Sequence, residues 1–318
     1  MKKLLSKPHR LTVKIAKKIT KFDQVFVENE QLKQRNKELE NIYNFGWPNG
    51  HYYSPVHSLE DLKDFKLVQK RATEKFASAI PSFSDKKMVK EFNGIKPYFK
   101  DFDYPKDEKK DCRFYSNNIS LSLMDALSIQ AMVRKYKPKK IVEIGSGFSS
   151  ALMMEVNDRH FDTKIDMTFI EPYPLLLHTR MKKGDKSRYK VIPTGVQNVP
   201  IDVFKQLKKD DILFIDSTHV SKFNSDVNYE IFDILPVLNK GVIIHFHDIL
   251  DGFEYPMHWL EKGWAWNEQY MLRAFLINNN EYEVLLLTHY LTNHHPDLLR
   301  KSYPDDVLNG GSLWLRKV

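Results

Sequence analysis

The stretch Lys140-Ile141-Val142-Glu143-Ile144-Gly145-Ser146-Gly147-Phe148-Ser149-Ser150 decides the fold. A short β-branched run ends in two glycines, and a helical pattern follows. Gly145 and Gly147 let the backbone turn tightly and approach a ligand closely. A helix starting near Ser149 would aim its N-terminus at that ligand. The third glycine of a dinucleotide fingerprint is replaced here by Ser150. Glu143 stands two residues before the first glycine, where a carboxylate repels phosphate and suits an ammonium or sulfonium cation.

Working outward, further apolar runs alternate with helical segments. Strands are predicted at 140–144, 167–170, 190–192, 212–215, 241–246, 283–287 and 312–315. Such alternation predicts an α/β fold, a mostly parallel sheet with helices on both faces. Ligands of these sheets bind at the carboxyl ends of the strands, where strand order reverses. Glu171 follows the second strand, 24 residues after Gly147, and an acid there can accept both hydroxyls of a ribose. The alternative reading of Glu171 alone is a favourable charge at a helix N-terminus.

Four segments taken together resemble the class I, Rossmann-like S-adenosylmethionine-dependent methyltransferases. They are Glu143-Ile144-Gly145-Ser146-Gly147, Ile170-Glu171-Pro172, Asp211–Asp216 and Gly241–Asp248. The resemblance covers about residues 120–318 and is nearest a bacterial branch with Ile-Asp-Ser-Thr-His and His-Asp-Ile at the fourth and fifth strand ends. It implies a seven-stranded sheet whose last strand is antiparallel, so that 283–287 and 312–315 form a terminal hairpin with a long insert. It also implies S-adenosylmethionine as cofactor. Glu143, Gly145, Ser146 and Gly147 would line its methionine part, Glu171 would hold the ribose, Gln197 would lie near the adenine, and Asp216 would face the sulfonium.

An alcohol acceptor must lose a proton, and histidine suits that role near neutral pH. His219 and His247 stand at neighbouring strand ends, so they are the expected catalytic residues together with Asp216. His245 shares the face of His247 by strand alternation and reads as a buried, hydrogen-bonded histidine. A divalent metal on Asp216, His247 and Asp248 is a competing use of these residues and is not favoured. Asp248, Trp266, Asn267, Glu268, Tyr270 and Arg273 are the expected acceptor-binding residues. Asn267 is expected to cap a helix, and aromatic faces beside planar polar groups suit a saccharide. Core packing is the alternative reading of the tryptophans.

The 318 residues carry 49 Lys and Arg against 41 Asp and Glu, a net charge of +8. Residues 1–22 contain eight of the basic residues and no acid, so the other 296 balance to zero. A uniformly basic nucleic-acid binder is therefore excluded. Leu11, Ile15, Ile19 and Phe22 make one apolar face, which suits an anionic membrane surface or a partner helix. A short heptad follows, with Ile15, Phe22, Asn29, Asn36 and Tyr43 at a and Leu11, Val25, Leu32 and Leu39 at d, which predicts a homodimer. Cys112 is the only cysteine, so neither a disulfide framework nor a thiolate zinc cluster is available. No signal-peptide core or long apolar span occurs, and the expected location is cytoplasmic, peripheral on the inner membrane face at most.

These readings predict a helical arm over 1–45, an irregular cap over 46–119 and a methyltransferase domain over 120–318. The expected activity is O-methylation of a saccharide or glycolipid precursor. The rivals are an NAD(P)-dependent oxidoreductase, which Glu143 and Ser150 oppose, and a non-catalytic, membrane-associated dimeric adaptor.

Overall fold

The computed structural model describes residues 28–36, 47, 49–303 and 309–318. The chain divides into two units, Met1–Lys63 and Asp64–Val318. The basic face over 1–22 and most of the heptad lie outside the described residues. Residues 28–36 are helical and exposed, and Lys33 pairs with Glu30 at 2.8 Å. No helix among the described residues is long and apolar enough to cross a membrane.

The second unit opens with helices α1 (Phe65–Ala79) and α2 (Asp85–Ile95). Both helices lie within the 46–119 stretch that the sequence reading assigned to a cap. Ser84 caps α2 by accepting the Lys87 N–H, and Met88, Phe92 and Ile95 recur at steps of four and three. That spacing puts three fully buried side chains on one face. Each such burial is worth about 1.5–3 kcal/mol. The α2 sequence is otherwise so rich in Lys, Glu and Asn that its apolar stripe is thin.

Helix α3 (Leu123–Tyr136) leads into strand β1 (Lys140–Ile144), followed by helix α4 (Phe148–His160) and strand β2 (Asp166–Ile170). Strands β3 (Lys190–Ile192), β4 (Ile212–Ile215) and β5 (Ile243–Phe246) follow. Helix α5 (Glu268–Leu276), strand β6 (Tyr282–Leu287), helix α6 (Thr288–His294) and strand β7 (Leu313–Lys317) complete the set used here. The seven-stranded sheet runs in the order β3-β2-β1-β4-β5-β7-β6. β1 pairs in parallel with both β2 and β4, and β5 with β4, whereas β7 is antiparallel to β5 and β6. The α/β, Rossmann-like expectation holds, including the β6–β7 hairpin with its long insert.

Alternation along the strands divides the core between the two faces. Ile141, Phe169, Phe214 and Trp314 pack on the side that α3 and α4 cover, while Val142, Ile170, Leu213 and Leu315 pack on the other. Strand order reverses between β1 and β4. The switch point therefore lies at the carboxyl ends of these two strands.

Candidate active site

Gly145 sits at the switch point with φ +78°. A Cβ added there would lie 1.8 Å from the Asp216 carbonyl oxygen. Close passage of the β1 and β4 ends therefore requires this glycine, before any ligand is considered. Asp216 N–H donates to Ile144 O at 2.9 Å, which holds the two ends together.

Two adjoining clefts open here. One, about 500 Å³, is lined by Gly145, Ser146, Gly147, Glu171, Leu176 and Asp216. The other, about 590 Å³, shares Gly145, Glu171 and Asp216 and adds Tyr173, Gln197 and Asp226. Glu171 accepts the Ser146 N–H at 3.1 Å and the Tyr173 N–H at 2.8 Å. Gln197 donates to Asn224 O at 2.8 Å. Ser146 Oγ is buried and has no hydrogen-bond partner. A groove with an orphaned hydroxyl and two carboxylates suits a ligand that brings its own hydroxyls and a cation.

Glu143 does not line either cleft. It is fully buried, and the Ser149 and Ser150 hydroxyls donate to its two oxygens. Ser150 Oγ in turn accepts the Gly147 N–H at 3.1 Å. Glu143 thus braces the glycine turn from beneath, contrary to the expected ligand contact. Burial outweighs the two hydroxyls and pushes its carboxyl up to about 8.

Asp216, His219, His247 and Asp248 meet beyond the turn because β4 and β5 are neighbours. His219 Nε2 lies 3.6 Å from Asp216 Oδ1 and 3.6 Å from Asp248 Oδ2. His247 Nδ1 lies 3.7 Å from Asp216 Oδ1 and 3.4 Å from Asp248 Oδ1. Both histidines are buried, while the two aspartates are only half-buried. Burial opposes charge on His219, but Glu268 at 2.7 Å from Nδ1 prevails and holds it at about 9. Burial likewise opposes charge on His247, yet Asp216, Asp248 and Asp125 raise it well above the usual range. Ligand atoms of Asp216, His219 and Asp248 fall within 4.8 Å of one another. The compact metal-type group thus contains His219 where the sequence reading placed His247.

Of the expected acceptor residues, Trp266 lies beside the site, its ring 4.4 Å from that of His219. The Trp266 ring also stacks on that of Trp264 at 4.7 Å. Of the rest, Asp248 lies in the site, and the other four side chains pair within the fold. Asn267 precedes α5 without capping it, and its side chain pairs with the Ser221 backbone instead. Glu268 is buried behind His219. Tyr270 donates to Glu254 at 2.9 Å, and Arg273 donates to Gly252 O at 3.1 Å. His245 is buried, stacked on Phe214 at 3.8 Å, and paired with Ser312 Oγ at 2.9 Å.

Two residues escaped the sequence reading. Asp125, on the first turn of α3, is buried beside His247 and accepts from Ser122, Gly311 and Ser312. Glu230 is fully buried on a single π-helical turn, Glu230–Ile234, and accepts the Ser217 hydroxyl at 3.2 Å. Burial raises its carboxyl well above the usual range. A Ser-x-x-Asp signature marks Asp125 as a helix-start acid, but nothing local points to His247.

Residues 142–249 match the family described as "Methyltransferase domain". An Archaeoglobus fulgidus protein described as uncharacterized is 31% identical over 172 residues, which cover 52% of this chain and 76% of that one. A methyltransferase domain thus spans residues 142–249. Solved structures similar to this methyltransferase include the Podospora anserina methyltransferase PaMTH1, bound to S-adenosylhomocysteine. That match has a TM-score of 0.41 at 18% identity, covering 83% of this chain and 99% of the other. Another is the Streptomyces achromogenes O-methyltransferase TomG with S-adenosylmethionine, at TM-score 0.38 and 12% identity, covering 79% and 98%.

Proposed function

We propose that this methyltransferase binds S-adenosylmethionine across the two clefts and methylates a hydroxyl. The observation that carries the reading is the convergence of His219 Nε2 and His247 Nδ1 on Asp216 and Asp248, beside the glycine turn. Glu171 and Gln197 would take the nucleoside, and Gly145, Ser146 and Asp216 the sulfonium end. The cofactor supplies an electrophilic methyl group and leaves as S-adenosylhomocysteine. The protein's part is to place an acceptor oxygen in line and remove its proton. His219, with Glu268 fixed behind it, presents Nε2 toward that proton, and His247 presents Nδ1. We read the acceptor as a saccharide or glycolipid precursor, supported by the Trp264–Trp266 ring pair beside His219.

A second reading rests on the compact Asp216, His219, Asp248 group, whose mixed donors suit zinc, manganese or iron more than magnesium. Calorimetry with S-adenosylhomocysteine and with NAD separates a methyltransferase from an oxidoreductase or an inert adaptor. Transfer of labelled methyl to a panel of monosaccharides and lipid-linked sugars then tests the acceptor class. No S-adenosylhomocysteine binding would sink the cofactor assignment. Transfer that survives complete chelation excludes the metal, and transfer restored only by manganese or zinc establishes it.

A further inference from the structure

Asp125 has no place in the reading above, yet its surroundings are unusual for a helix-start acid. It is 2% exposed, and it joins three distant parts of the fold. Ser122 Oγ donates to its Oδ2 at 2.7 Å, Ser312 Oγ to its Oδ1 at 2.6 Å, and Gly311 N–H to both oxygens at 3.0 and 3.1 Å. Its Oδ2 also faces His247 Nε2 at 3.5 Å. That nitrogen is buried, and no other acceptor serves it.

We infer that Asp125 is a positioning residue that keeps a proton on His247 Nε2, so that Nδ1 is the nitrogen His247 presents to the acceptor. The inference rests on the proposed role of His247. The physical argument compares the two faces of one imidazole. A neutral ring carries one N–H, and the nitrogen without it has an outward lone pair. Placing the lone pair on Nε2 would set it against the lone pairs of a buried carboxylate and leave that buried ring nitrogen with no donor. Placing it on Nδ1 sets it against Asp216 and Asp248, which are half-buried and can recruit water or an acceptor hydroxyl. The proton therefore stays on Nε2. The arrangement is the mirror of His219, whose Nδ1 is held by Glu268 and whose Nε2 faces the same two aspartates. The site thus offers a δ nitrogen from one histidine and an ε nitrogen from the other.

Asp125→Asn tests this, because the amide can keep an oxygen toward Gly311 and Ser312 while turning its NH₂ toward Nε2. Two-bond ¹H–¹⁵N spectra of the full chain, ring-labelled at histidine, read the tautomer directly. At a pH high enough to neutralise His247, the native ring should carry its proton on Nε2, and the Asp125→Asn ring on Nδ1. In the transfer assay kcat should fall by roughly 10²–10⁴, as expected of a base locked in the wrong tautomer. S-adenosylhomocysteine affinity should be unchanged. Ser122→Ala removes one partner of Asp125 without touching His247. It should lower thermal stability and leave the tautomer and kcat as they are. Native Nδ1–H, an unflipped ring in Asp125→Asn, or a flip in Ser122→Ala would each overturn the inference. Should Asp125→Asn fail to fold, the native spectrum alone decides. Absence of transfer by the native enzyme would defeat the hydroxyl reading while leaving the tautomer result intact.

Discussion

Replacing Glu143 by glutamine tests whether the acid beneath the glycine turn is held neutral. Its folded-state pKa of about 8, against an ordinary 4.5, disfavours the ionised form in the folded protein by about 5 kcal/mol. The sign follows from proton counting. Between these two values the folded chain keeps a proton that the unfolded chain has lost, so stability falls as pH rises and levels off above 8. From pH 6 to pH 9 the loss amounts to about 3 kcal/mol, and Glu143→Gln should be spared it. The amide preserves the shape and can still bond to Ser149 and Ser150. Thermal melts of both proteins without ligand should therefore diverge by roughly 5–10 °C across that range, in favour of the variant at high pH. Losses from His219 occur in both proteins and cancel. A melting difference that stays flat from pH 6 to pH 9 would show that Glu143 is ionised throughout, and the burial argument would fail.

Arg113 is 1% exposed and ties the segment before α3 to Glu155, Asp158 and Asp185, with a two-pronged contact to Asp185 at 2.7 Å. Arg113→Ala strands buried carboxylates and should cost about 3–5 kcal/mol in urea unfolding, while Arg113 with Asp185 both replaced by apolar residues should cost less. His219 must be neutral to take a proton, so turnover should rise with pH toward about 9, and His219→Ala should remove that limb from the pH–rate profile. The His219–Glu268 pair also contributes stability that is full below about 6.5 and fades as pH rises through about 9, which Glu268→Gln should flatten in pH-dependent melts.

The sheet and its switch point were legible because each strand is a dense apolar run. Val142, Ile144, Leu213 and Ile215 are buried on one face, and their neighbours are buried on the other. Strand ends then located Gly145, Glu171, Asp216, His219 and Asp248 without any knowledge of packing. What the pattern misjudged was orientation. Glu143 reads as a ligand contact because it precedes a glycine turn, yet a residue inside a fully covered strand faces a layer of helices. Its partners Ser149 and Ser150 come from the helix the turn begins. Glu268 and Asn267 read as acceptor contacts for the same reason. Their sequence neighbours are aromatic, but the loop after β4 folds back onto them, so that both backbone N–H groups donate to His219 O.

Support residues are harder to read than the groups they support, and Asp125 shows why. Its identity is explained locally by the turn it begins, since Ser122 and Asp125 satisfy each other as any helix start would. Its other partners arrive only when the chain returns 186 residues later, as the segment before β7 passes Gly311 and Ser312 across the end of β5. That return also delivers Ser312 to His245, two residues before His247. One closure therefore fixes the backbone of the hairpin, the buried histidine and the active-side histidine together. A local pattern can announce a helix start, but only the closed sheet turns the same carboxylate toward an imidazole. Changes to the β6–β7 insert that preserve the core should accordingly reach His247 through Asp125, although the insert supplies none of the residues proposed to touch the acceptor.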